Sequence, residues 1–387
     1  MKFFRMIRRT LCLAAALLVF AAAGTSEERF TVQDAGMDLN EEISIHYPAV
    51  AGSGDESLIS RINDLIQKKC GIGAYLNRAA HLISGGSLRT EWTGGVMNDV
   101  FSCAVSALGA VENTRTTHVW TAVSIDLRDG HEITLPELFT DAEAARELME
   151  TYLEETVAPD LSAHLLNSEL IPLPEHFYLE TSGLTLLYPV EQLSTLSDRA
   201  GDIRIGWNVL KEVLDFSEDS ILNRIGAEEM ITLSAGSAEQ LRTTAAEGSL
   251  TGIPAGIGDS MQEMTDRWHM LTDPDGFEGG RLFSLEGGCF RGVYLITDDL
   301  SRSWEQSRVQ GIRMDQGCVW GLCPGESRRS EWLSALGEPE GTVEVGAEKA
   351  EANRLEPGVC DYYHCGEYLL QLYSDENETL VSVILTE

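Results

Sequence analysis

A serine, an aspartate and a histidine are the first residues of this chain whose types could do chemistry. Ser260 stands in the block Gly258-Asp259-Ser260-Met261, and Asp361-Tyr362-Tyr363-His364 lies far downstream. A hydroxyl becomes a nucleophile when an imidazole takes its proton and a carboxylate orients that imidazole. Ser260, His364 and Asp361 therefore make a candidate hydrolytic triad. The surroundings of Ser260 argue against it. A buried apolar strand should lead into such a serine, yet residues 252–257 bring Pro254 and two glycines. Ser260 also has a structural use, since Ser260 and Glu263 have the spacing of a helix capping box.

The cysteines are the second set. Seven of the eight lie beyond Cys12: Cys70, Cys103, Cys289, Cys318, Cys323, Cys360 and Cys365. Cys318-x4-Cys323 with Cys360-x4-Cys365 could hold zinc as four thiolates. Structural zinc prefers shorter Cys-x2-Cys hooks in reducing compartments, so disulfides are expected among Cys70, Cys103, Cys318, Cys323, Cys360 and Cys365, with Cys289 left as the free thiol. The pairing of the last four stays open among three choices. His131-Glu132 lacks the second histidine of a zinc-peptidase helix, and His46, His81, His164, His176 and His269 are scattered. We expect no metal, no cofactor and no catalytic residue.

The disulfide reading rests on compartment. Lys2, Arg5, Arg8 and Arg9 precede an apolar run from Leu11 to Ala23, and Ala21 and Ala23 fit a small-x-small cleavage site. Residues 1–24 are expected to be a cleaved signal peptide, because the run is too short for the roughly 20 residues of a membrane span. Cys12 is badly placed for lipid attachment. The expected location is extracytoplasmic, without a stable membrane anchor.

The chain carries a formal charge of −34, and loss of the signal leaves 24 Lys+Arg against 62 Asp+Glu, a balance of −38. Such a surface repels nucleic acid, whose recognition needs clustered Lys and Arg. It attracts cationic partners, and it also serves simple solubility.

The elements that must position these residues divide the chain. Residues 30–216 read as a mixed sheet domain with packed helices. Ile43 to Tyr47 alternates like a strand, Leu58, Ile62 and Ile66 share a helical face, and residues 100–107 and 117–127 have the period of neighbouring strands. Asp129-Gly130 is a turn, residues 133–135 a short strand, and Thr140 to Glu143 a helix cap. Phe177 to Leu179 and Leu184 to Tyr188 flank a hairpin turn, followed by a strand at 202–205 and a helix at 207–214.

This series resembles the extracytoplasmic domain of the anti-sigma-V factor and the accessory domain of some peptidoglycan deacetylases. The matching residues are Tyr47-Pro48, Gly52, Asn63, Ile125-Asp126-Leu127, Asp129-Gly130, Ile133-Thr134-Leu135, Leu138-Phe139, Phe177-Tyr178-Leu179, Gly183-Leu184, Ala200-Gly201, Trp207 and Leu210-Lys211. The resemblance implies an α/β sheet domain without catalytic residues, in a family whose signalling members sense lysozyme, a cationic protein. Neither a sigma-binding segment nor a deacetylase domain accompanies it here.

Residues 217–250 read as a helical linker. Residues 251–387 read as two helix-plus-β-hairpin repeats, one helix opening at Gly258-Asp259-Ser260 and the other at Gly325-Glu326-Ser327. The expected hairpins are 281–285 with 292–297 and 368–373 with 380–385. This half is similar to the tandem modules of the beta-lactamase inhibitor protein, a secreted binder. Gly258-Asp259-Ser260-Met261 also resembles the nucleophile block of GDS-type esterases, whose other glycine and Gly-x-Asn-Asp blocks are missing. The whole is expected to be an α+β protein that binds or senses, without catalysis, either a cationic, lysozyme-like protein or a cell-wall polysaccharide ligand. The alternatives are a serine hydrolase using Ser260, Asp361 and His364, and a structural envelope protein.

Overall fold

The computed structural model describes residues 30–52, 55–82, 86–111, 117–158, 173–188, 202–267, 275–277, 280–284, 292–297 and 306–387. The expected signal at 1–24 and Cys289 lie outside the described residues. No helix among the described residues is long and apolar enough to cross a membrane.

The fold is α+β. The chain begins with strands β1 (Phe30–Asp34), β2 (Met37–Asp38), β3 (Ile43–Ile45) and β4 (Pro48–Gly52), then helices α1 (Glu56–Lys69) and α2 (Ile72–His81). Asp55 starts α1 by accepting the Ser57 N–H at 2.8 Å. Leu58, Ile62 and Ile66 are buried along one side of it, as a period of 3.6 residues requires. Strands β5 (Gly86–Met97), β6 (Val100–Val111), β7 (Thr117–Asp126) and β8 (His131–Glu132) join β2 and β3 in a six-stranded sheet ordered β2-β3-β5-β6-β7-β8. Its β3–β5 pairing is parallel and the others antiparallel, so the sheet is mixed. The expected neighbours β6 and β7 pair from Val100↔Asp126 to Gly109↔Thr117.

Both faces of β6 are buried near its start. Phe101, Cys103 and Val105 meet α1 in one core. On the opposite face Val100 joins a core with Met149 of α3 (Ala142–Tyr152), and the Ser102 hydroxyl accepts the Leu179 N–H at 2.7 Å. Leu179 belongs to a second sheet of β9 (His176–Glu180), β10 (Gly183–Leu187) and β11 (Asp202–Gly206), with β10 central and buried throughout. Trp207 opens the single turn α4 (Trp207–Leu210), and its indole N–H donates to the Thr181 carbonyl at 2.9 Å.

Two local expectations shift. The short strand expected at 133–135 is His131–Glu132 instead, and Leu135–Leu138 form a 3-10 turn, where Pro136 has no N–H for a ladder. The cap of α3 is Asp141, not Thr140. Its carboxylate accepts the Glu143 and Ala144 N–H groups at 3.0 Å each.

Residues 217–250 are helical as expected, but they are buried in two cores. Helices α5 (Ile221–Arg224) and α6 (Ala227–Ile231) place Ile221, Leu222 and Ala227 around Trp207. Helix α7 (Ala235–Ala246) places Ala238, Leu241 and Ala245 in the core of the following sheet. Helical composition alone does not separate a solvated connector from helices divided between two cores.

After α8 (Met261–Arg267) come β12 (Asp275–Phe277), β13 (Gly280–Ser284), β14 (Val293–Thr297) and β15 (Gly311–Met314). After α9 (Arg329–Leu336) come β16 (Gly341–Val345), the short helix α10 (Ala347–Ala352), β17 (Gly358–Cys365), β18 (Tyr368–Asp375) and β19 (Leu380–Thr386). The expected hairpins β13–β14 and β18–β19 both form. The first is the inner pair of one four-stranded antiparallel meander and the second the final pair of another, both within one eight-stranded sheet ordered β12-β13-β14-β15-β19-β18-β17-β16. The order reads the same from either edge once the two meanders are exchanged, and the last strand of each meets the other at the centre, Gly311↔Thr386 to Met314↔Val383. Met261, Met264, Trp332 and Leu336 from α8 and α9 pack with Leu295, Ile312 and Leu385 on one face.

Candidate functional site

Strand periodicity separates the members of the candidate triad. Asp361 and His364 both lie on β17, and side chains three apart on a strand point to opposite faces. Asp361 faces the helices and is fully buried. Its carboxylate accepts Arg329 Nε and Nη2 at 2.8 Å each, Trp332 Nε1 at 3.1 Å and Thr342 Oγ1 at 2.7 Å. Burial alone would raise its pKa, but these donors outweigh it and hold the carboxyl below its ordinary value. His364 is exposed on the other face, with Nδ1 2.5 Å from Glu340 Oε2. The carboxylate–imidazole leg of the triad is therefore absent. Ser260 sits just before α8 and forms a backbone bridge to Arg308.

The same alternation divides the cysteines. Cys318 and Cys323 form a disulfide with a Cα–Cα distance of 4.2 Å. Cys360 and Cys365 are buried free thiols, five residues apart on one strand and hence on opposite faces, so they form neither a second clip nor half of a thiolate cage. Burial pushes the Cys360 thiol up to about 11. Cys70 and Cys103, also disulfide candidates, are buried free thiols in this structure.

Asp126, Asp129 and His131 are the group with metal-compatible spacing among the described residues. A guanidinium already occupies the place of a cation. Arg224 Nη2 lies 2.6 Å from Asp126 and its Nη1 2.5 Å from Asp99, while Arg128 Nη2 adds a 2.8 Å contact to Asp126. His131 is held between Asp129 at 2.7 Å and Glu137 at 3.2 Å. Burial pulls its pKa down, but the two carboxylates outweigh that and raise it. The cluster fastens α5 to the turn after β7.

A cavity of about 810 Å³ opens where the two cores meet. One wall is the turn from Ile231 through Ala235 that joins α6 to α7, and the other is the Ser330, Glu331 and Ser334 side of α9. The disulfide loop forms the base. Gly321 donates its N–H to the Met230 carbonyl at 2.9 Å, with φ +81, and a Cβ at this position would lie 2.2 Å from the Leu233 nitrogen. Only glycine allows that approach. Ser327, expected to open a helix, is instead a buried clamp on the loop: its hydroxyl accepts the Cys323 N–H at 2.9 Å and donates to the Gly321 carbonyl at 3.2 Å.

The rim of the cavity is acidic. Glu331 accepts the Arg328 N–H at 2.7 Å at the start of α9. Glu326 meets Lys211 Nζ at 2.6 Å, an ion pair that ties the two halves together. None of these lining residues was singled out as a binding group by sequence reasoning, because three distant segments build the cavity. The usable signal was the glycine inside Cys318-x4-Cys323.

The sequence matches no protein-family profile and no curated protein. Similar solved structures include a DUF3298 family member from Bacteroides fragilis, with 14% identity, TM-score 0.39, and 52% of this chain and 99% of that one covered. A DUF3298 family protein from Pseudomonas aeruginosa has 11% identity, TM-score 0.35, and coverage of 48% and 94%. A DUF4309 family protein from Bacillus subtilis has 14% identity, TM-score 0.26, and coverage of 40% and 97%.

Proposed function

We propose that this chain is an extracytoplasmic binding protein that takes a basic polypeptide segment, without catalysis, in the cavity between α6, α7 and α9. The observation that carries the reading is the cavity itself. Its volume falls in the range of ligand sites, and it combines apolar Ile231, Leu233 and Ala335 with serines and the carboxylates of Glu326 and Glu331. A charge of −34 steers cationic partners toward any such site. The groups that resembled an active site are engaged elsewhere, Asp361 with Arg329 and His364 with Glu340. The sequence resemblance to a family with lysozyme-sensing members supports the same class of partner.

Calorimetric titration with lysozyme at low salt tests the reading. Binding is expected, with affinity falling as salt screens the charges. Glu326→Gln with Glu331→Gln keeps hydrogen-bond acceptors in place and should weaken it about tenfold, at about 0.7 kcal/mol per rim charge. No heat at low salt, or equal affinity for the double variant, would refute the assignment to this cavity.

A further inference from the structure

Two thiols remote from the cavity have no part in that reading. Cys70 ends α1, where its N–H donates to the Ile66 carbonyl at 2.9 Å. Cys103 lies on β6 opposite Val123 of β7. Both are fully buried in the same core cluster between α1 and the sheet. Thr121 of β7 points its hydroxyl at the Cys70 carbonyl, 3.4 Å away, so the helix end is already seated over these strands.

We propose that Cys70 and Cys103 are a disulfide-forming pair that straps the corner between α1 and α2 to the middle of the six-stranded sheet. The other buried thiols lack this arrangement: Cys360 faces Gln371 at 3.9 Å, and Cys365 lies on the opposite face of the same strand. The bond would enclose α2 and β5 in a covalent loop. Its formation replaces two S–H bonds by one S–S bond and sends two electrons and two protons to a small-molecule disulfide, which is cleaved to two thiols. Exchange needs a thiolate, and burial pushes the Cys103 thiol up. The bond therefore closes while the core is still assembling, and the folded core then shields it.

The test uses the full chain, reduced and unfolded, then refolded in a mixture of glutathione and glutathione disulfide. Free thiols are alkylated under denaturing conditions without reduction, and the digest is read by mass spectrometry. The expected product is one cross-linked species containing Cys70 and Cys103 and lacking two hydrogens, with alkylation at both sites about tenfold or more below the reduced control. Closure of Cys318–Cys323 in the same molecules shows that oxidation has occurred. The proposal is overturned if Cys70 and Cys103 are both alkylated in chains where Cys318–Cys323 has closed. In Cys103→Ala, Cys70 should become alkylated; a bond from Cys70 to another cysteine in that variant would also overturn the selective pairing, and this readout does not require the variant to fold.

Discussion

Replacing Arg329 by Met should destabilise the C-terminal sheet far more than a surface change would. The variant keeps the length of the stem and removes the guanidinium that pairs bidentately with Asp361 at 2.8 Å. Asp361 stays fully buried, still bonded to Trp332 and Thr342. Breaking a buried pair by deleting one partner costs about 3–5 kcal/mol, and with two neutral donors remaining the lower end applies, about 3 kcal/mol. For a unit of this size that lowers Tm by about 6–12 °C. Urea unfolding followed by tryptophan fluorescence measures it. Arg329→Met with Asp361→Leu should recover most of the loss, because no charge is then left in the core. The gap between wild type and Arg329→Met also depends on pH. The Asp361 pKa is lowered in the folded state, so its stabilisation is complete above the unfolded value of about 3.9 and disappears as pH falls through the folded value. His364→Ala, in the same scan, should stay within about 0.5 kcal/mol of wild type. An Arg329→Met midpoint equal to wild type, or a large loss in His364→Ala, would refute this account of β17.

Gly321→Ala should cost about 3 kcal/mol or more, from positive φ and from overlap with Leu233 backbone; the same unfolding assay reads it, and a neutral result would remove the tight seat proposed for the disulfide loop. His46 lies between Asp34 at 2.6 Å and Asp38 at 3.2 Å, whose bonds outweigh burial and raise its pKa. Its contribution is complete below the unfolded value of about 6.5 and is lost as pH rises through the folded value. His46→Gln should therefore remove part of the stability decline above pH 6.5, and an unchanged pH profile would show that the pair adds nothing.

Much of the fold was legible where one periodicity ruled a segment. Leu58, Ile62 and Ile66 marked the buried side of α1, and the alternation in β6 and β7 marked two paired strands. The hairpins of the second sheet were readable for the same reason. The outer strands were not: β12 is three residues long and β16 mostly exposed, so neither has a strong apolar pattern. Asp361 and His364 misled because a spacing of three was read as a motif before being placed on a strand, where it parts the two side chains. Cys360 and Cys365 failed as a clip by the same geometry, whereas Cys318 and Cys323 sit in a loop whose chain can turn back. The cavity was invisible because Ile231, Gly321 and Glu331 come from segments that only the tertiary fold brings together.

The palindromic order of the second sheet has a consequence for how its strand edges are protected. An open sheet exposes unpaired N–H and C=O groups along its outermost strands. Each meander standing alone would leave its last strand, β15 or β19, as such an edge. Here the two edges cover each other, from Gly311↔Thr386 to Met314↔Val383. The join has the form of a two-fold dimer contact made within a single chain. The polypeptide running from β15 through α9 into the second meander acts as a tether, so closure depends on the local concentration it sets and not on how dilute the protein is.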